Sequence, residues 1–205
     1  MRRNEFDIQD KQTITNLLSE CEYGTLSLIS QGKPYGVAVN FVWHNDRVFI
    51  HGAKEGRKVD AIKESHLGSF LVVKPYSIIP SYFSQTLAAC PATQFFASVH
   101  FEGIIKELKI PEAKAIVLNK LMEKLQKEGN YEPIAYEKPM YTTMIDKTAI
   151  FELTPNHISC KIKAGQNLSH EKKETFMKKL EERGESIDSK TIELMQRDRL
   201  KFRVK

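Results

Sequence analysis

RVFIHGAKEGRKVDAIKES, residues 47–65, is the stretch whose reading decides the fold. Val48 and Ile50 alternate with Phe49 and His51, so RVFIHG reads as a strand ended by Gly52. AKEG has the length of a short turn, and RKVDAIKES places Val59 and Ile62 on one face of a helix. The expected unit is strand, glycine-containing turn and helix, with Arg57 and Lys58 on the opening helical turn. Cations are ordinarily unfavourable there, because a helix start carries partial positive charge and unpaired N–H groups. An anion seated on that turn, most commonly a phosphate, would reverse the sign of the interaction. A solvated helix start, its cations paired with Glu55 and Asp60, accounts for the same residues, and the stretch alone leaves both readings open.

Upstream, HND (44–46) and QGKP (31–34) are turns that separate the strands TLSLI (25–29) and YGVAVNFVW (35–43). Before them, Ile14, Leu17, Leu18 and Cys21 fall at helical spacing over residues 10–22, with Asp10 as N-cap and Gly24 beyond the end. Downstream, GSFLVVK (68–74) is continuously apolar, as expected of a central strand. Pro75, Pro80 and Pro91 make residues 75–93 irregular in this reading. FASVHFEGIIKEL (96–108) is a long strand, in which Gly103 marks a bulge or a close backbone approach. Residues 110–129 form a helix started by Pro111 and stopped by Gly129, with Ile116, Val117, Leu121 and Leu125 as its buried stripe. Residues 130–146 read as irregular, and residues 148–163 as a last pair of strands around a turn at Pro155–Asn156. From residue 169 the chain is helical, with Ser169 capping a helix that buries Phe176, Met177 and Leu180. A second helix starts near Ser189 and carries Ile192 and Met195.

The fold class expected is mainly β with helices: six to seven mostly antiparallel strands in a closed or nearly closed barrel. Residues 1–165 are the barrel domain and residues 166–205 a C-terminal helical extension.

A chain of 205 residues suffices for one sizeable domain with an appendage. No apolar run approaches the ~18 residues of a membrane span, and MRRNEFDIQD has no apolar segment behind its arginines, so no secretory signal is expected. Cys21, Cys90 and Cys160 are widely spaced, which argues against a disulfide framework or zinc site and for a reducing cytoplasm. Residues 1–160 carry 18 basic and 18 acidic side chains, whereas residues 161–205 carry 13 and 8, so the net charge of +5 lies in the tail. Its acids and bases are interspersed without an aromatic pattern, as expected of a solvated helical face rather than a nucleic-acid surface.

The six histidines show neither HxH nor HxxxH spacing, which argues against a metal site. There is no GxSxG elbow, no GxGxxG and no GxxxxGK[ST] loop. The chain does not read as an enzyme whose own side chains do the chemistry; a cofactor would have to carry the reaction.

MRRNEFDI, GTLSLISQGKPYGVAVNF, FIHGAKEGRKVDAI and ASVHFEGIIKEL, taken in order over about residues 1–160, resemble the flavin-binding split-barrel proteins related to pyridoxamine-phosphate oxidase. The branch they resemble most includes the nitroimidazole-resistance flavoproteins. KIKAGQN and the helices after it resemble the C-terminal part of flavin-nucleotide-binding repressor relatives. The resemblance implies a homodimer of barrels with FMN in a groove at the interface. Gly56, Arg57 and Lys58 would then hold the FMN phosphate. His51 and Gly52 would lie beside the ribityl chain and ring, Val39 and Asn40 would meet the polar edge of the flavin, and Ser98 would add a polar contact. Gln166 and Asn167 would either close over the cofactor or cap a helix. The irregular segment 75–96, with Tyr76, Ile78, Ile79, Tyr82 and Phe83, would supply apolar area to the dimer interface.

The chain departs from the oxidases in two places. Near Val37 they have an arginine that reaches the phosphate, and their C-terminal tryptophan and basic run have no counterpart, Trp43 being the single tryptophan. Pyridoxine phosphate is therefore not the expected substrate. The expected function is an FMN-dependent, flavin-reductase-like oxidoreductase that takes electrons from NAD(P)H and passes them to a small-molecule acceptor. The alternatives are a non-enzymatic flavin-binding regulator, or a haem-binding or haem-degrading split-barrel protein with His100 or His170 as axial ligand.

Overall fold

The computed structural model describes residues 3–201, with side chains as far as Arg197. β1 (Tyr23–Ser30) and β2 (Lys33–His44) form an antiparallel hairpin closed by Gln31 and Gly32. Both turn residues have positive φ, +54° and +70°, the two-residue geometry whose twist matches that of the strands it joins. The turn is shorter than QGKP, so Pro34 already belongs to β2 and faces Ile29. Asn45 and Asp46, at φ +48° and +58°, make the same kind of connection from β2 to β3 (Arg47–Gly52). Asn and Asp are the non-glycine residues that best tolerate that conformation.

α1 (Lys11–Ser19) precedes the hairpin, and the Asp10 carboxylate caps it by accepting from the Thr13 amide at 2.8 Å. After β3 come α2 (Arg57–Glu64), β4 (Leu67–Ile79), β5 (Thr93–Leu108), α3 (Pro111–Leu125), α4 (Pro139–Lys147) and β6 (Ala149–Lys163). α5 (His170–Arg183) and α6 (Asp188–Lys201) follow the last strand. The six strands hydrogen-bond in the closed order β1-β2-β3-β6-β5-β4. The fold is therefore the expected mainly-β barrel with helices, at the lower of the two strand counts.

Three expectations are corrected. β4 continues through Pro75 to Ile79 instead of ending before it. β6 is one 15-residue strand rather than two around Pro155–Asn156. Its first half pairs with β3 from Gly52↔Ala149 to Val48↔Leu153, and Gly103 lets β5 approach just beyond, since a Cβ there would collide with the Thr154 carbonyl oxygen. Residues 139–147, expected to be irregular, form α4, which Pro139 opens at the position where its missing N–H costs nothing.

The chain divides into two compact units. The larger comprises Asp10–Val72 and Val99–Ser159. Alternate residues point inward, so Leu26, Leu28, Phe41, Phe70, Phe101 and Phe151 are buried, with Phe41 and Phe70 in edge contact at 5.0 Å. On the outside of the strands, Val117 and Leu121 of α3 pack against Val42, Phe49 and Ile150. Ile116 and Leu125 of the expected stripe are exposed, at 53% and 41%; Lys114 is buried instead, its ammonium donating to the carbonyls of Ile145 and Thr148 at the end of α4.

The smaller unit comprises Val73–Ser98 with the described parts of Met1–Gln9 and Cys160–Lys205. Ser169 caps α5, accepting from the Lys172 amide, and Phe176 meets Phe83 at 5.9 Å. Tyr76, Ile79 and Phe83, expected to be free for an interface, are buried within this unit, whereas Ile78 and Tyr82 are exposed. Buried Ser77 donates to the Asp188 carboxylate at 2.6 Å and its amide donates to Thr191 Oγ1 at 3.0 Å. Arg183 clamps the same carboxylate through two nitrogens, at 2.9 and 2.5 Å, and also donates to the Ile78 carbonyl.

Candidate functional site

Gly56 introduces α2 at φ +106°, a conformation that side chains rarely adopt, and no side chain caps the helix. The first amide bonds of α2 run from Val59 and Asp60 to the Gly56 carbonyl, so the Arg57 and Lys58 N–H groups precede the helix ladder. Among the described residues neither Arg57 nor Lys58 forms an ion pair, with Glu55, Asp60 or any other carboxylate. The reading in which these cations are neutralised by their own helix is therefore not the one adopted.

The two side chains take different directions. Arg57 is exposed and reaches the β1–β2 hairpin: its Nε donates to Ser30 Oγ at 3.1 Å and its guanidinium stacks on the Tyr35 ring at 4.3 Å. Lys58 folds back along the end of β3, donating to the His51 carbonyl at 3.4 Å, with its ammonium 5.6 Å from the Phe151 ring centre. Gly52 makes room for it, because a Cβ there would stand 2.5 Å from Lys58 Nζ. Burial holds Lys58 below the ordinary lysine range. Burial first, and then the Lys58 charge, hold the His51 imidazole below its usual value, so it is neutral at pH 7.

His51, Gly52, Gly56, Arg57 and Lys58 are thus gathered where β3 passes into α2. Phe41 pairs with Ile50, so half-buried Asn40 lies just beyond the end of that ladder, as His51 does. Asn40 Nδ2 donates to the Glu22 carbonyl at 3.1 Å, and half-buried Val39 faces Gly24 on β1. Ser98 belongs to the smaller unit, half-buried on β5 between buried Ala97 and Val99. Gln166 accepts from the Ala164 amide and donates to the Ile162 carbonyl, both at 2.7 Å, so it fastens the turn after β6. His100 lies 3.6 Å from Glu102, and His170 lies 3.8 Å from Glu174 at the start of α5. Burial, followed by Asp7, pushes the Cys160 thiol up to about 12, outside the range of a nucleophile.

Ser30 and Tyr35 were not singled out from the sequence. The signal for them was present: the Gln31–Gly32 turn pairs Ser30 with Lys33 and Leu28 with Tyr35, and thereby fixes which hairpin residues can meet α2. A cavity of about 590 Å³ opens beside this hairpin, with Ser27, Tyr35, Ser69, Glu102 and His157 in its lining.

A family profile described as pyridoxamine 5'-phosphate oxidase matches residues 10–162 of the chain. No curated protein matches it. Among solved structures, a protein from Bacteroides thetaiotaomicron VPI-5482 provisionally assigned to 5-nitroimidazole antibiotic resistance is similar at a TM-score of 0.60 and 18% identity, over 76% of this chain and 86% of that one. The flavocytochrome Anf3 from Azotobacter vinelandii is similar at 0.65 and 20%, over 80% and 72%. An FAD- and haem-binding protein from Mycobacterium smegmatis is similar at 0.62 and 15%, over 76% and 72%. At these identities the likeness is one of fold.

Proposed function

The chain belongs to the pyridoxamine 5'-phosphate oxidase family, and from that premise we propose that it binds FMN and acts as an oxidoreductase, taking electrons from NAD(P)H and passing them to a small acceptor. The observation that carries this reading is the unneutralised pair Arg57 and Lys58 on an uncapped helix start. Such a turn attracts an anion, and the space around Gly56 leaves room for one. Arg57, Lys58 and the first amides of α2 would hold the phosphate. His51 and Gly52 would border the ribityl chain and ring, with Val39 and Asn40 as further contacts. Neutral His51 offers a hydrogen bond without a competing charge near the phosphate. Bound flavin supplies the two-electron chemistry that the side chains of this chain do not. The cavity beside Tyr35 has the volume of a small-molecule site and suits the acceptor. The protein would act as a homodimer, which light scattering at micromolar concentration checks; a single-chain mass would remove that element.

Titration of FMN and riboflavin into wild type and Arg57→Ala tests the reading. Loss of one or two charge-assisted hydrogen bonds, each about 1.5–3 kcal/mol, weakens FMN roughly tenfold or more and riboflavin much less. Equal weakening of both, or of neither, would place the anion elsewhere. Anaerobic bleaching of the flavin bands by a nicotinamide dinucleotide is the result expected of the enzyme. A yellow protein that does not bleach is a flavin binder without that activity.

A further inference from the structure

The cavity beside the β1–β2 hairpin draws its lining from β1, β2, β4, β5 and β6, all within the larger unit. Strand register orders part of that lining. Gly36 faces Ser27 across β2 and β1, and Ser27 faces Ser69 across β1 and β4, so three small residues stand in one rung. Two residues along on the same face, Pro34 pairs with Ile29, and Leu67 follows on β4, which sets apolar side chains beside the rung. Nothing in the backbone or the packing requires glycine at position 36. Its φ is not positive, and a Cβ there would meet the Thr25 methyl alone, at 3.6 Å. A longer side chain would instead take up room in the cavity.

β5 and β6 add Glu102, Asn156 and His157. Among the described residues the lining holds one carboxylate, Glu102, and neither lysine nor arginine. The Glu102 side chain is exposed, and His100, 3.6 Å away, offsets it only when protonated. Arg57 touches the Tyr35 ring without joining the lining. Among the described residues the side chains of Ser27, Ser69, Asn156 and His157 make no hydrogen bond, so they are open to a ligand. A small-residue floor, apolar flanks and one carboxylate suit a flat molecule with a single positive charge, and repel a phosphate or a carboxylate.

We propose that this cavity binds a conjugated organic cation of the iminium or pyridinium class, held by Glu102 with its ring over Gly36, Ser27 and Ser69. Its role as the acceptor rests on the oxidoreductase reading above; the binding itself does not. A hydride carrying both electrons, supplied by NAD(P)H through the flavin, adds to the electron-poor carbon and forms a C–H bond. The C=N π pair becomes a nitrogen lone pair, and the product is a neutral amine, with no proton required. The attraction to Glu102 disappears as the product forms, which favours its release.

Absorbance titration of the full chain at pH 8, with no flavin added, tests the binding. Methylene blue serves as the flat cation and resorufin as a flat anion of similar tricyclic shape. Methylene blue should bind at one site per chain, roughly tenfold or more tightly than resorufin. Glu102→Gln should weaken methylene blue roughly fivefold, and Glu102→Asp should keep most of the affinity. Gly36→Leu should weaken both dyes by filling the cavity, whereas Arg57→Ala should not weaken methylene blue. The proposal is overturned if methylene blue shows no saturable binding, if resorufin binds as tightly, or if folded Glu102→Gln binds methylene blue as wild type does. A chain that binds methylene blue but no FMN would keep the cation site and lose the flavin reading.

Discussion

The guanidinium carbon of Arg57 lies 4.3 Å from the centre of the Tyr35 ring while its Nε donates to the Ser30 hydroxyl at 3.1 Å. Ser30 is buried and so offers a fixed acceptor, which with the ring orients the exposed arginine before any ligand arrives. Tyr35→Leu and Ser30→Ala each remove one restraint and leave the charge. Each should weaken FMN by roughly threefold to tenfold, less than Arg57→Ala does, with riboflavin almost unaffected. Fluorescence titration of both flavins measures it, and unchanged FMN affinity in both variants would mean that Arg57 needs no support from the hairpin.

Gly103→Ala should destabilise the barrel. The added Cβ meets the Thr154 carbonyl oxygen and the Pro155 Cα, both backbone atoms of β6, so the strand itself must move. Overpacking of this kind costs about 3 kcal/mol, read as a lower urea midpoint at an unchanged slope. At Gly52 the atom in the way is the tip of Lys58, which can swing aside. Gly52→Ala should therefore unfold almost as wild type does.

Asp188→Asn should destabilise the smaller unit at pH 7. Its carboxylate serves Arg183, Ser77 and the Glu185 amide together while 1% exposed, so the change leaves Arg183 only the exposed Glu185 carboxylate, at 3.5 Å, as counter-charge. Breaking a buried pair costs about 3 kcal/mol or more. The Arg183 hydrogen bonds above all, with Ser77 and the Glu185 amide, hold the Asp188 carboxyl below its ordinary value, against the effect of burial. The unfolded carboxyl titrates near 3.9. The contribution is therefore complete above about pH 4 and is lost as pH falls through the lower folded value. Urea unfolding of both proteins from neutral pH to below about pH 4 should show the gap closing only at the acid end.

Lys124 should give a slope of the same sign at the alkaline end. Burial lowers its amine to about 8, against the pull of Cys21 and Glu22, while Nζ donates to the Phe41 carbonyl at 2.9 Å. An unfolded lysine titrates near 10.4, so the unfolded chain binds more protons than the folded one between those values. Wild-type stability should rise with pH through that window relative to Lys124→Met and run parallel to it below about pH 8. NMR of the lysine side-chain nitrogens, following the titration of this one amine, checks the same point directly.

Much of the fold was legible because its punctuation is local. The Gln31–Gly32 and Asn45–Asp46 turns, the Asp10 and Ser169 caps and the passage from β3 into α2 each rest on a few neighbouring residues. β4 beyond Pro75 and β6 beyond Pro155 were not legible, because strand pairing and compact packing override a local breaker that sequence alone treats as an end. The site divides along the same line. Arg57 and Lys58 stand out by their place on the helix start, whereas Ser30 and Tyr35 meet them only through strand register and a segment far away in the chain. Lys114 lies outside the expected buried stripe of α3, because nothing nearby in sequence announces that the carbonyls of Ile145 and Thr148 await it.

β4, β5 and β6 each pass from one compact unit into the other, at Val72–Val73, Ser98–Val99 and Ser159–Cys160. No single cut releases either unit whole, so the two cannot be inherited separately. Recombination between diverged copies of the gene at any of those three junctions would join half-strands of different parentage, and their side chains would have to match across every neighbouring rung. A crossover within residues 126–138, between α3 and α4, would leave each strand with one parent. Chimaeras viable at that loop and dead at the strand junctions are the expected pattern of descent for a chain woven in this way.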